Sequence, residues 1–106
     1  MQPIDFNGLD TTVHGPLRLG VLTALQIDGP HDFTALKKRL EAADGSLGLQ
    51  LLKLVESEYI RAEKKFVGRR PKTIYHLKKK GRSALTQYLE TLERLITAMK
   101  QSSRAN

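Results

Sequence analysis

The chain has 106 residues, enough for one core and too few for two, and its 40% hydrophobic and 27% charged residues exclude a disordered tail. A net charge of +7 and a pI near 9.9 favour a polyanionic partner, either nucleic acid or an acidic surface. The lack of cysteine excludes disulfides and thiolate metal sites, and no apolar run approaches the roughly 20 residues that cross a bilayer.

The N-terminal stretch MQPIDFNGLD has neither a basic start nor an apolar core, so no signal peptide is expected and the expected location is the cytoplasm. Residues 1–13 carry Ile4, Phe6, Leu9 and Val13 without a clear period and read as an arm or a short packing helix. Pro16 suits the first turn of a helix, where its missing N–H would be unpaired anyway. It opens PLRLGVLTALQI, with Leu17, Val21, Leu22 and Leu25 on one side. Asp28-Gly29-Pro30 stops that pattern.

Asp32 is a candidate N-cap for a second helix, FTALKKRLEA, in which Phe33, Leu36 and Leu40 recur at helical steps while Lys37, Lys38 and Arg39 face away. After a break at Ala43-Asp44-Gly45, Asp44 is placed to cap a third helix, SLGLQLLKLVESE, with the stripe Leu47, Leu51, Leu54 and Val55. Three short helices with a compact second turn give a helix-turn-helix pattern.

A β-hairpin follows. Strand-like runs around Ile60 and Ala62 and around Tyr75 and Leu77 flank a tip of Gly68, Arg69, Arg70, Pro71 and Lys72. From Arg61 to Arg82 lie ten of the eighteen Lys and Arg, against one acid, Glu63. That charge density suits a grooved polyanion such as double-stranded DNA, although a charge run is often no more than a solvated surface. The last segment is the longest helix, with Leu85, Tyr88, Leu89, Leu92, Leu95, Ile96 and Met99 at alternating steps of three and four. The domain itself can cover the start of this stripe, whereas Leu92 to Met99 call for a second chain. The final SSRAN is expected to fray.

HGPLRLGVLTAL, DGSLGLQLLKLVESEYI and FVGRRPKTIYHLKKKGRSAL, in this order and spacing, resemble the first helix, recognition helix and wing of winged helix-turn-helix regulators of the MarR and ArsR type, and of a small stand-alone MarR-like subgroup above all. The resemblance covers residues 9–96. It implies a mainly α fold with a small β-hairpin. Residues 1–106 would form a single winged helix DNA-binding domain, with an arm at 1–13, a core at 16–77 and a dimerisation helix at 78–100.

It also implies a dimeric repressor on double-stranded DNA. The third helix would enter the major groove and the wing would meet the backbone or minor groove. Carried over by position, the helix would present Ser46, Gly48, Leu49, Gln50 and Lys53, and the wing Lys64, Lys65, Arg69, Arg70 and Lys72. Gln50 suits adenine, Lys53 guanine or phosphate, and Leu49 a thymine methyl. The family commonly has Ser or Thr, Arg and His where this chain has Gly48, Leu49 and Gln50, and a basic residue where it has Leu52. This departure points to affinity drawn mainly from phosphates, with modest specificity from the helix. It also keeps a rival open, a winged helix that binds protein through Leu49 and Leu52.

Other function classes have little support. No Gly-rich phosphate loop or spaced carboxylate pair is present, and Ser46, Ser57 and Ser83 lie in no motif that would activate them, so no enzyme is expected. His14, His31 and His76 fall in separate elements without an i,i+4 pair, so neither a metal nor a cofactor is expected. His14 is expected instead to cap or pack at the start of its helix. Six Phe and Tyr are few for stacking single-stranded RNA bases. MarR-type dimers often hold small-molecule effectors, but no residue here identifies one.

Overall fold

A computed structural model of the chain describes residues 9–105. The expected arm residues Ile4 and Phe6 lie outside these, while Val13, within them, is fully buried. The element order is α1 (Pro16–Asp28), β1 (His31–Asp32), α2 (Phe33–Leu40), α3 (Asp44–Glu56), β2 (Ile60–Val67), β3 (Arg70–Leu77) and α4 (Lys79–Ala105). The strands form one antiparallel sheet in the order β1-β3-β2. No helix among the described residues is long and apolar enough to cross a membrane.

The core gathers the predicted stripes. Val21, Leu22 and Leu25 of α1, Leu36 of α2 and Leu47, Leu51 and Leu54 of α3 meet Ile60, Leu85 and Tyr88. Fully burying an aliphatic side chain of this size contributes about 1.5–3 kcal/mol, so this cluster holds the three short helices together. The predicted cap of α2 forms, the Asp32 carboxylate accepting from the Ala35 N–H at 2.7 Å. Asp44 does not cap α3. Ala43 occupies that position, and Asp44, already in the first turn, pairs with Lys37 at 2.8 Å.

Two features were not anticipated. The short β1 pairs His31 with Tyr75 and Asp32 with Ile74, adding a third strand to the hairpin. In addition, α4 runs on to Ala105 through the segment expected to fray. Gly81 sets how α4 leaves the sheet. A Cβ there would collide with the Tyr59 carbonyl oxygen, the same oxygen that accepts from the Lys78 N–H at 3.0 Å. A residue without a Cβ is therefore required where the first turn of α4 presses on the chain entering β2.

Twenty-seven residues of helix extend about 40 Å, and the molecule measures 63 Å along its longest axis and 25 Å across the next. The far half of α4 therefore projects beyond the core.

Candidate nucleic-acid interface

Two surfaces carry the predicted DNA-binding residues, the outward side of α3 and the hairpin. On α3, the buried Leu47, Leu51 and Leu54 define the inward side. The opposite side presents Gly45, Ser46, Leu49, Leu52, Lys53 and Glu56, all exposed, with Leu49 and Leu52 at 50% and 54%. Ser46, Leu49 and Lys53 thus project as expected. Gly48 sits half-buried on one flank.

Gln50 lies on the other flank and departs from the expectation. Its side-chain oxygen accepts a hydrogen bond from the Arg18 guanidinium of α1. Arg18 also donates to the backbone oxygens of His14 (2.9 Å) and Thr11 (3.2 Å), so Gln50 is tied to the N-terminal turn. A helical pattern separates buried from exposed positions but does not show which exposed polar group has found a partner in another element.

That turn is itself anchored. The Tyr59 hydroxyl donates to the Asp10 carboxylate, and burial together with this bond pushes the Tyr59 pKa up to about 12. His14 Nδ1 lies 2.8 Å from the Tyr88 hydroxyl, which bears out its expected packing at the start of α1. Arg18 thus ties the N-terminal turn to Gln50 in the middle of α3, and Tyr59 ties the same turn to the chain that follows the helix.

The hairpin closes through a two-residue turn, Gly68-Arg69, with Gly68 at φ 65°, a left-handed conformation that glycine adopts without strain. Arg70, Pro71 and Lys72 therefore belong to β3 rather than to the tip. Antiparallel pairing places Ile60, Ala62, Lys64 and Phe66 on one face with Leu77, Tyr75, Thr73 and Pro71. The other face holds Arg61, Glu63, Lys65 and Val67 with His76, Ile74, Lys72 and Arg70.

The wing cations are not equivalent. Lys72 pairs with Asp32 at 2.9 Å. The Asp32 carboxyl is held below the usual carboxylate range, first by the Ala35 N–H and then by Lys72. Glu63 accepts from His76 at 2.9 Å, which lowers its pKa, and lies 3.7 Å from Lys65. Lys64, Arg69 and Arg70 make no side-chain hydrogen bond or ion pair among the described residues, and all three are exposed.

The predicted dimerisation stripe divides. Leu85 and Tyr88 belong to the protomer's own core, and Leu92 is half-covered by it. Leu89, Ile96 and Met99 are exposed, Met99 at 70%, with Leu95 intermediate. Leu85 and Tyr88 are therefore corrected from interface to core. They sit in the first turns of α4, which lie against α1.

A family model, Winged helix DNA-binding domain, matches residues 17–96. The chain belongs to this family. A comparison with curated protein sequences finds no match. Among solved structures, the winged helix resembles a transcriptional regulator homologue from Pyrococcus horikoshii OT3, at a TM-score of 0.76 and 22% identity over 83% of this chain and 87% of that one. A putative transcriptional regulator, ytfH, from Salmonella typhimurium aligns at 0.68 and 19%, covering 90% and 86%. An ArsR family transcriptional regulator, RHA00566, aligns at 0.60 and 26%, covering 92% and 95%.

Sequence reading missed the apolar wing tip. Phe66 is 74% exposed and Val67 62%. The signal was available. Placing the turn at Gly68-Arg69 and counting back in steps of two separates Phe66 from Val67 and pairs Phe66 with Pro71.

Proposed function

We propose that this winged helix protein is a dimeric transcriptional regulator that binds double-stranded DNA and represses by occupying its site. The outward side of α3 enters the major groove. The wing lies on phosphates and the adjoining minor groove through Lys64, Arg69 and Arg70, with Lys65 and Lys72 beside them. The observation that carries this reading is the lack of any protein partner for Lys64, Arg69 and Arg70, among the described residues, on an exposed ribbon next to α3. Cations left free in this way are available to displace the counterions condensed on DNA, which supplies most nonspecific affinity.

On α3, Ser46, Leu49 and Lys53 meet the groove, with Leu49 against a thymine methyl and Lys53 on guanine or phosphate. Gln50 positions the helix through Arg18 and reads a base only if that bond opens. Two protomers join along the exposed Leu89, Ile96 and Met99 and the half-buried Leu95 between them. A two-fold dimer of this kind would meet two half-sites about one helical turn of DNA apart.

The exposed Leu49 and Leu52 favour a second reading, a protein-docking face on α3 with the wing binding DNA nonspecifically. Selection from a random duplex pool at near-physiological salt separates the two. Enrichment of a palindrome is the expected result. Retention without enrichment means that the wing holds phosphate while the helix reads nothing, and no retention contradicts the first reading and leaves the protein-docking face of Leu49 and Leu52.

A further inference from the structure

Phe66 is the most exposed of the large apolar side chains among the described residues, at 74%. It stands one residue from the turn, at the end of the hairpin farthest from the core, and its position in the fold keeps it from the protomer's own interior. Across the ribbon it faces Pro71 on the same face. Proline fixes its backbone and offers no N–H, so the pair forms a stiff apolar edge. On that face the next pair toward the core is Lys64 with Thr73, and Arg69 and Arg70 close the tip on the other side. The unit is a flat aromatic ring set among cations that have no protein partner among the described residues.

We infer that Phe66, backed by Pro71, is a wedge that enters between two base pairs of duplex DNA from the minor groove and bends the duplex. This rests on the reading that the wing binds DNA. The charge pattern selects the occupant. Lys64, Arg69 and Arg70 can reach the phosphates flanking a base step while the ring meets the π faces exposed as the step opens, and every base offers such a face. Apolar wedges of this kind unstack a step and kink DNA by about 20–90°. The unstacking cost is lowest at flexible pyrimidine–purine steps, so the wing adds a sequence preference without touching a base edge. A chain whose recognition helix carries Leu49 and Leu52 in place of basic readers draws discrimination from this second route.

The test uses the full chain and a mixed-sequence linear duplex of about 100 bp, shorter than the persistence length of about 150 bp and therefore slow to circularise alone. Ring closure by ligase and affinity by fluorescence anisotropy are measured on the same fragment. Wild type is expected to raise ring closure about tenfold, which corresponds to about 1.4 kcal/mol of the bending cost met in advance by the kink. Phe66→Ala, an exposed position whose change leaves the core intact, should keep the wild-type salt dependence because the phosphate contacts remain, and is compared with wild type at protein concentrations that saturate the duplex. Its ring closure should fall to that of free DNA, and Phe66→Leu should restore much of the effect. Ring closure by Phe66→Ala equal to wild type overturns the wedge. So does a wild type that binds without closing rings, which leaves the wing's hold on DNA standing. A wild type that does not bind overturns the DNA-binding reading and the wedge together.

Discussion

The outward side of α3 and the tip of the wing are both exposed, yet they are built from different chemistry. On α3, Leu49 and Leu52 occupy the centre of the face, Ser46 and Gly45 add little charge, and Lys53 is offset by Glu56 one turn on. The wing carries Lys64, Arg69 and Arg70 without protein partners among the described residues and only one acid, Glu63, which His76 already holds. A surface that attracts phosphate need not be the surface that distinguishes bases. In the reading proposed for this protein the two tasks fall on different elements, with attraction concentrated on the wing and only sparse reading groups on the helix.

The largest expected effect comes from breaking the proposed dimer, because this takes both surfaces off the second half-site at once. Ile96→Glu with Met99→Glu should give a folded monomer in sedimentation and weaken binding to a palindrome by about 10²- to 10⁴-fold, the usual benefit of linking two sites. A dimer that survives both changes places the interface elsewhere. Next is the wing. Arg69→Ala with Arg70→Ala should weaken all duplexes alike, by roughly 10- to 100-fold, or about 1.4–2.8 kcal/mol for the two exposed phosphate contacts together. A loss confined to one sequence in competition gel shifts would make these arginines base readers.

Leu49→Ala sharpens the other side of the comparison. It should relax preference at one position of each half-site, at a cost of about 1 kcal/mol, and leave affinity for unrelated duplexes unchanged. Selection and sequencing of the bound fraction would show this, and an unaltered preference would support the protein-docking reading.

The smallest effect tests the joint between the helices and the wing. Asp32→Ala removes the α2 cap and should lower stability by about 1 kcal/mol in urea. The folded-state pKa of Asp32 is depressed below its ordinary value of 3.8. Its contribution is therefore complete above that pH and disappears as pH falls through the lower folded value. The gap between wild type and Asp32→Ala should close in strong acid, and a constant gap at every pH would rule the carboxylate out as its source. Asp32→Asn, which retains the cap, should free Lys72 and tighten DNA binding slightly.

Much of this was legible in the sequence because it depends on local pattern. The bounds of α1, the Asp32 cap and the core stripes follow from capping chemistry and helical periodicity, which need only a few adjacent residues. What escaped depends on contacts distant along the chain. Gln50 meets Arg18 from 32 residues away, and Lys72 meets Asp32 across the sheet. The two-residue β1 is too short to show a period, and only its pairing with β3 defines it. Asp44 fits a cap by residue type, but Lys37 on the neighbouring helix claims it. Leu85 and Met99 share one apolar stripe, and only the position of α1 decides that the first is core and the second surface. The candidate site divided in the same way, with the basic wing visible in composition and the fate of each cation set by register.

The division of attraction and reading between wing and helix is tested most directly by the salt dependence of affinity. Wild type, Arg69→Ala with Arg70→Ala, and Leu49→Ala would each be measured on the selected palindrome and on a scrambled duplex. The predicted result is a steep slope shared by both duplexes, reduced by about two phosphate contacts in the arginine variant and unchanged in Leu49→Ala. An arginine variant with the wild-type slope, or a slope that depends on the duplex and on Leu49, would contradict that division.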